Sequence, residues 1–264
     1  MTFVGYDEGN QALGLYGTDG AVGWRLSLAA WPLARDLQRV AGGVLVGFDR
    51  GYFELDPRTG NLGKVVDRWS GVTSVRRLDT GETLVAGLGL EGHPGIVVLT
   101  LDPQDRVVTA ASRPGDYVRL LRPAGPHWLL GADDRLLETD STLALVGTLA
   151  APGFRHAWMA ERRAGRTLVS AGYGAFLAEF DTERRLVRTF GGAGDVPPFV
   201  SPFFYAGFEW YDGRLFVANW QGHGPDNATK GRQLVAFGPD GAYQDSWSHP
   251  EISSLQAFLL MGSA

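Results

Sequence analysis

Short apolar runs alternate with glycine- and aspartate-rich turns along the whole chain. Within the runs the polar and apolar positions alternate with the period of a strand, and no stretch holds a helical period. An apolar pair following a turn recurs at Phe3-Val4, Leu45-Val46, Leu84-Val85, Leu129-Leu130, Leu168-Val169 and Phe216-Val217. The second members of these pairs are 42, 39, 45, 39 and 48 residues apart. A second apolar run follows four of them and ends at or near an acid, as in Tyr52-Phe53-Glu54-Leu55-Asp56 and Phe176-Leu177-Ala178-Glu179-Phe180-Asp181. Turn residues come next, such as Asp102-Pro103-Gln104-Asp105, then a third run such as Val107-Val108. A fourth run, such as Ser74–Leu78, leads into the next glycine turn.

Each unit therefore predicts four antiparallel strands joined by tight turns. Four-stranded units of about 40–45 residues are the blades of a β-propeller. The expected fold is all-β, a six-bladed propeller forming a single domain over residues 1–264. The competing architectures, a β-sandwich or an open solenoid, do not call for six regular units. The chain opens on the second strand of a blade, Thr2–Tyr6, and ends on a lone first-strand run, Ser253–Leu260. That last run is predicted to complete the N-terminal blade and seal the ring, removing an open sheet edge.

Composition narrows the chemistry. Of 264 residues, 44% are apolar and 20% charged, with a net charge of −5, so no basic surface invites nucleic acid. There are no cysteines, which excludes disulfides, thiolate metal sites and cysteine nucleophiles. No apolar run reaches the length of a membrane span and no basic, apolar leader opens the sequence, so a cytoplasmic protein is expected. Nucleotide-binding glycine motifs and a Gly-x-Ser-x-Gly elbow are missing. The histidines lack short ligand spacing, so no metal or other cofactor is expected.

The two faces of the predicted ring differ. One holds only short turns, such as Asp79-Thr80-Gly81 and Asp212-Gly213. The other holds the long connections Gly89–Gly95, Gly191–Phe204 and Asn219–Gly231, with Tyr173, Phe203, Phe204, Tyr205 and Trp220 at or near it. Aromatic loops over one mouth of a rigid scaffold mark a binding site. Aligning the first strands on their following glycine turns brings together Asp36, Ser74, Asp116, His156 and Ala206, with Ser254 or Gln256 from the closing strand. Two positions on come Gln38, Arg76, Val118, Trp158 and Phe208, and the alternate parity presents Arg39, Arg77, Arg119, Met159 and Glu209. Sequence leaves the channel-facing parity open, because one bulge reverses it. Carboxylates, arginines and a histidine converge in either case.

The stretch Tyr205–Gly222 (YAGFEWYDGRLFVANWQG) resembles a late blade of the strictosidine-synthase-like and gluconolactonase/regucalcin propellers. The position of the gluconolactonase metal-binding aspartate carries Ala206 here. Asn219-Trp220-Gln221-Gly222-His223-Gly224 and Ile252-Ser253-Ser254-Leu255-Gln256 are similar to motifs of a further group of bacterial propellers. The strictosidine-synthase resemblance implies a metal-independent condensation of an aromatic amine with a carbonyl compound. Glu209 or Asp116 would then be the base and His156 the proton shuttle. Asp36, Arg76, Arg119, Trp158, Tyr205, Phe208, Trp220, His223 and Gln256 would contact the ligand. The expected partner is an aromatic or amphipathic small molecule carrying a carboxylate or an amine, and a monomer is expected. A metal-dependent lactonase-type hydrolase and a non-catalytic protein-interaction propeller are the alternatives.

Overall fold

A computed structural model describes residues 1–262. Six four-stranded antiparallel sheets form the blades of a ring. The innermost strands are Leu255–Met261 in blade one, Asp36–Val40 in blade two and Val72–Arg77 in blade three. Blades four to six contribute Leu121–Ala124, Ala160–Arg163 and Phe204–Tyr211. The closing strand pairs antiparallel with Thr2–Asp7, Leu260 opposite Phe3 and Phe258 opposite Gly5, so the ring is sealed as the pattern predicts.

The apolar pairs form the second strands and are almost fully buried. Outermost strands such as Val22–Ser27 and Val107–Arg113 are largely exposed. Burial thus follows from position in the blade: middle strands are covered on both faces by neighbouring blades, and outer ones are not. Six apolar clusters fill the six gaps between blades. The closing gap holds Phe3, Tyr16, Phe204, Phe216 and Phe258, an apolar filling like that of the other five.

Asp7 ties the closure at the level of hydrogen bonds. It is fully buried, and its carboxylate accepts the amides of Ser253 and Ser254 at 2.9–3.1 Å. Ser254 Oγ in turn accepts the amide of Gln221 at 3.0 Å, and Ser253 Oγ accepts that of Asn227 at 3.2 Å. Gly9 lies against the same junction, where a Cβ would sit 2.4 Å from the Gly224 carbonyl oxygen. The Ile-Ser-Ser-Leu-Gln motif therefore fastens the last blade's long loop to the ring closure.

All innermost strands run the same way along the channel. Their starts define an upper mouth, which also carries the second-to-third strand connections and every long loop. Their ends define a lower mouth with short turns only. The division of faces agrees with the sequence pattern.

Candidate functional site

The strand pairings fix which residues ring the channel. Gln38, Arg76, Arg122, Glu161 and Glu209 each lie opposite the first residue of an apolar pair: Leu45, Leu84, Leu129, Leu168 and Phe216. In blades four, five and six this departs from the alignment by sequence pattern. The ring positions are Arg122, Glu161 and Glu209, not Val118, Trp158 and Phe208. Tyr117–Leu120 and His156–Met159 alternate like strands but are lead-in segments at the upper mouth, packed before the innermost strands begin. Buried Val118, Leu120 and Trp158 imitate the strand period there. The signal that finds the register is the tight turn. Arg163 pairs with Arg166 across Ala164-Gly165, whose φ values are 49° and 76°. Counting back from a two-residue turn of this kind gives Glu161.

Below the upper mouth, a channel cavity of about 400 Å3 is lined by Arg35, Asp36, Arg76, Arg122, Glu161 and Phe208, among others. Asp36 is its hub. The Asp36 side chain is fully buried and accepts from Arg76 Nη2 at 2.6 Å, from Arg122 Nη2 at 3.0 Å and from the Val75 amide at 3.0 Å. It also accepts from the Ser74 hydroxyl. Burial, with Arg122 nearby, lowers the Arg76 pKa to about 9, against the opposing pull of Asp36. Asp36 and Arg76 thus knit blades two, three and four. Among the described residues Glu161 makes no ion pair, and burial raises its pKa, with Arg163 and Arg122 opposing.

Glu209 lies near the lower mouth. It pairs with Arg39 and accepts the Leu260 amide at 2.6 Å, closing the ring at that end. The three residues predicted as catalytic are therefore not one group. His156 and exposed Asp116 stand at the upper mouth, and Glu209 is engaged far along the channel. Tyr205 points into the packing between blades five and six, where its hydroxyl donates to the Gly191 carbonyl at 2.7 Å and burial raises its pKa. Gln256 is buried with its Oε1 unpartnered.

The upper mouth carries a continuous wall of rings. Tyr117 packs 4.7 Å from His156, and His156 packs 5.4 Å from Tyr173. Tyr173 meets Phe204 at 4.7 Å, Phe203 at 5.8 Å and Trp220 at 6.2 Å. Trp220 packs 4.7 Å from His223. Glu8 fixes this end, accepting the Trp220 indole N–H at 3.0 Å and facing His223 Nδ1 at 2.7 Å. Asn219 fixes the loop above. Its side-chain amide donates to the carbonyls of Val200, Ser201 and Arg232, and its oxygen accepts the Phe203 amide. Asn227 donates to the carbonyls of Gly222, His223 and Gly224. The Asn-Trp-x-Gly-His-Gly motif is thereby a loop clamp that presents Trp220 and His223.

His156 holds a left-handed backbone, φ 60°, uncommon outside glycine. Asp133 Oδ1 accepts its backbone N–H at 3.2 Å and faces its Nε2 at 3.4 Å. Its Nδ1 makes no hydrogen bond among the described residues. Burial lowers its pKa, with Asp133 opposing and Arg119 and Arg155 adding to the shift. The shift favours the neutral imidazole. Among the described residues no three His, Cys, Asp or Glu side chains converge at metal-ligand distances. None of the described helices is long and apolar enough to cross a membrane.

Fold and mouth together define a six-bladed β-propeller with an aromatic upper mouth. Neither a family model nor a curated protein matches the chain. Among solved structures it is similar to a protein of unknown function from Bacteroides caccae. The TM-score is 0.77 and the identity 22%, over 97% of both chains. It is also similar to a streptogramin B lyase, with TM-score 0.58 and 10% identity over 91% of this chain and 77% of that one. At these identities the similarities establish the propeller fold.

Proposed function

We propose that this propeller is an enzyme that seats an aromatic small molecule on the upper-mouth wall, with His156 as its proton-transferring group. The observation that carries the reading is His156 itself. Its left-handed backbone is held between two tyrosine rings beside Asp133, with 40% of its side chain open to the mouth. Strained residues persist where their surroundings over-determine them, and they concentrate at functional sites. A neutral imidazole whose Nε2–H faces Asp133 leaves Nδ1 as the base, and Asp133 then steadies the imidazolium formed. The mouth wall supplies ring stacking for the substrate.

Proton transfer of this kind is the step that a lyase and a condensing enzyme share. One of the structurally similar propellers is a lyase. The condensation implied by the resemblance would use His156 with Asp116 or Asp133, because Glu209 is committed to Arg39 and Leu260.

The test starts with thermal shift against a panel of aromatic acids, amides, amines and aldehydes, since native-state binding raises the melting temperature by mass action. Compounds that shift it are then incubated with wild type and His156→Gln and followed by mass spectrometry. The expected result is conversion by wild type, loss of conversion in His156→Gln by about 100-fold or more, and retained binding. Equal conversion by both proteins would remove His156 from the chemistry.

A further inference from the structure

Among the described residues, two arginines at the upper mouth have no carboxylate within ion-pair distance. Arg35 precedes the innermost strand of blade two and lines the upper end of the channel cavity. Arg119 precedes that of blade four. Their guanidinium carbons lie 5.9 Å and 5.6 Å from the Trp158 ring centre, and that of Arg119 lies 3.9 Å from the Tyr117 ring centre. Among the described residues neither forms an ion pair. Their guanidinium groups make one hydrogen bond between them, from Arg119 Nη1 to the Val118 carbonyl at 2.9 Å.

The contrast with Arg76 and Arg122 is instructive. Those two share the Asp36 carboxylate at the same depth of the ring. Arg35 and Arg119 share nothing. Burial and the charge of Arg119 push the pKa of Arg35 down, with Tyr6 and Asp49 opposing, and burial does the same for Arg119, with Tyr117 and Asp133 opposing.

Further donors stand unsatisfied in the same place. The Nε of each arginine, the Tyr117 hydroxyl and the Trp158 indole N–H are all buried without a partner. Trp158 is 4% exposed, so water does not serve its indole N–H freely. A cluster of buried donors without an acceptor is costly, and two like charges add to the cost. An oxyanion held by the terminal guanidinium nitrogens relieves the repulsion between the two charges.

We propose that the upper end of the channel cavity binds the carboxylate of an aromatic acid, clamped by the terminal guanidinium nitrogens of Arg35 and Arg119. The inference rests on the aromatic wall described above for the ring portion of the ligand. Paired guanidiniums suit a planar carboxylate and repel an ammonium group. Of the two polar ends expected from sequence, the carboxylate is therefore assigned and the amine is not.

Isothermal titration calorimetry with phenylacetate and indole-3-acetate tests the assignment, with phenylacetamide, phenethylamine and sodium sulfate as comparison probes. The acids are expected to bind about tenfold or more tightly than the amide, and the amine not at all. Arg119→Met and Arg35→Met are expected to weaken acid binding about tenfold or more. Without ligand, these variants should melt at or above the wild-type temperature, because each removes an unpaired half-buried charge. A melting temperature lower by more than about 5 °C would mark the arginines as structural and overturn the clamp.

Acid and amide binding equally would overturn the clamp while leaving the aromatic seat. Binding of sulfate and acids that is unaffected by Tyr173→Ala would keep the clamp and remove the seat. No binding by any probe would overturn both.

Discussion

Replacing Asp36 by Asn changes one atom and removes one charge from the middle of the ring. The amide keeps the shape of the carboxylate, so any effect reports electrostatics and not a cavity. What it leaves behind is two guanidiniums, Arg76 and Arg122, with side-chain exposures of 10% and 12% and without the carboxylate that both contact. Breaking a buried ion pair on one side costs about 3–5 kcal/mol, because the orphaned charge keeps its desolvation penalty. That is a large share of a typical domain's total stability of about 5–15 kcal/mol. In a chain of this size, about 1 kcal/mol corresponds to roughly 2–4 °C of melting temperature. A fall of about 10 °C is therefore expected by circular dichroism, with a matching fall in urea midpoint. Asp36→Leu with Arg76→Met and Arg122→Met should recover most of the loss, since a packed apolar cluster substitutes for a buried ion cluster. A melting temperature for Asp36→Asn within about 2 °C of wild type would refute the reasoning. It would return Asp36 to the role of a ligand contact expected from sequence.

Other predictions follow from the same geometry. Glu138 is buried and held by Arg162 at 2.7 Å, Arg184 at 2.8 Å and His127 at 2.8 Å, which bring its carboxyl from 4.5 down to about 2. Its stabilising contribution is complete above pH 4.5 and is lost as pH falls towards 2. The ceiling is about 3 kcal/mol, lowered by solvent screening of the partly exposed arginines, and Glu138→Gln should flatten acid unfolding over that range. Asp7→Ala should cost about 3 kcal/mol in chemical denaturation, because the amides of Ser253 and Ser254 lose a charged acceptor. Hydrogen exchange of Leu255–Met261 should then quicken ahead of the other innermost strands, and uniform exchange would count against a closure role. Turnover, once a substrate is in hand, should rise with pH through an apparent pKa below 6.5, since His156 acts in its neutral form and its pKa is lowered. A profile that falls over this range would contradict its role as base.

The propeller was legible because its signal is repeated. Six apolar pairs and the turns between them repeat one statement, and Ser253–Leu260 completes a blade that otherwise lacks its first strand. The division into a long-loop face and a short-turn face follows from the same repeat. The site was legible only in part, since a channel is assembled from one residue per blade. A slip of three or four residues in blades four and five replaced Arg122 and Glu161 by Val118 and Trp158, and a slip of one in blade six replaced Glu209 by Phe208. The lead-in segments pack like strands, and their apolar residues gave the same alternation. Arg35 escaped notice for a different reason. It lies in the irregular segment just before the strand Asp36–Val40 rather than in a strand column, so no periodicity pointed to it. Its lack of a partner is a property of three-dimensional neighbours alone. Conversely, Glu209 and Tyr205 looked available in the sequence, and the fold engages both.

A crystal structure of the protein with phenylacetate or indole-3-acetate tests the central claim most directly. The account predicts the carboxylate between the guanidiniums of Arg35 and Arg119 and the ring against Tyr117, His156 and Tyr173. Ligand in the lower-face groove lined by Leu168, Phe190 and Trp210 would contradict it, as would a ligand whose carboxylate avoids both arginines.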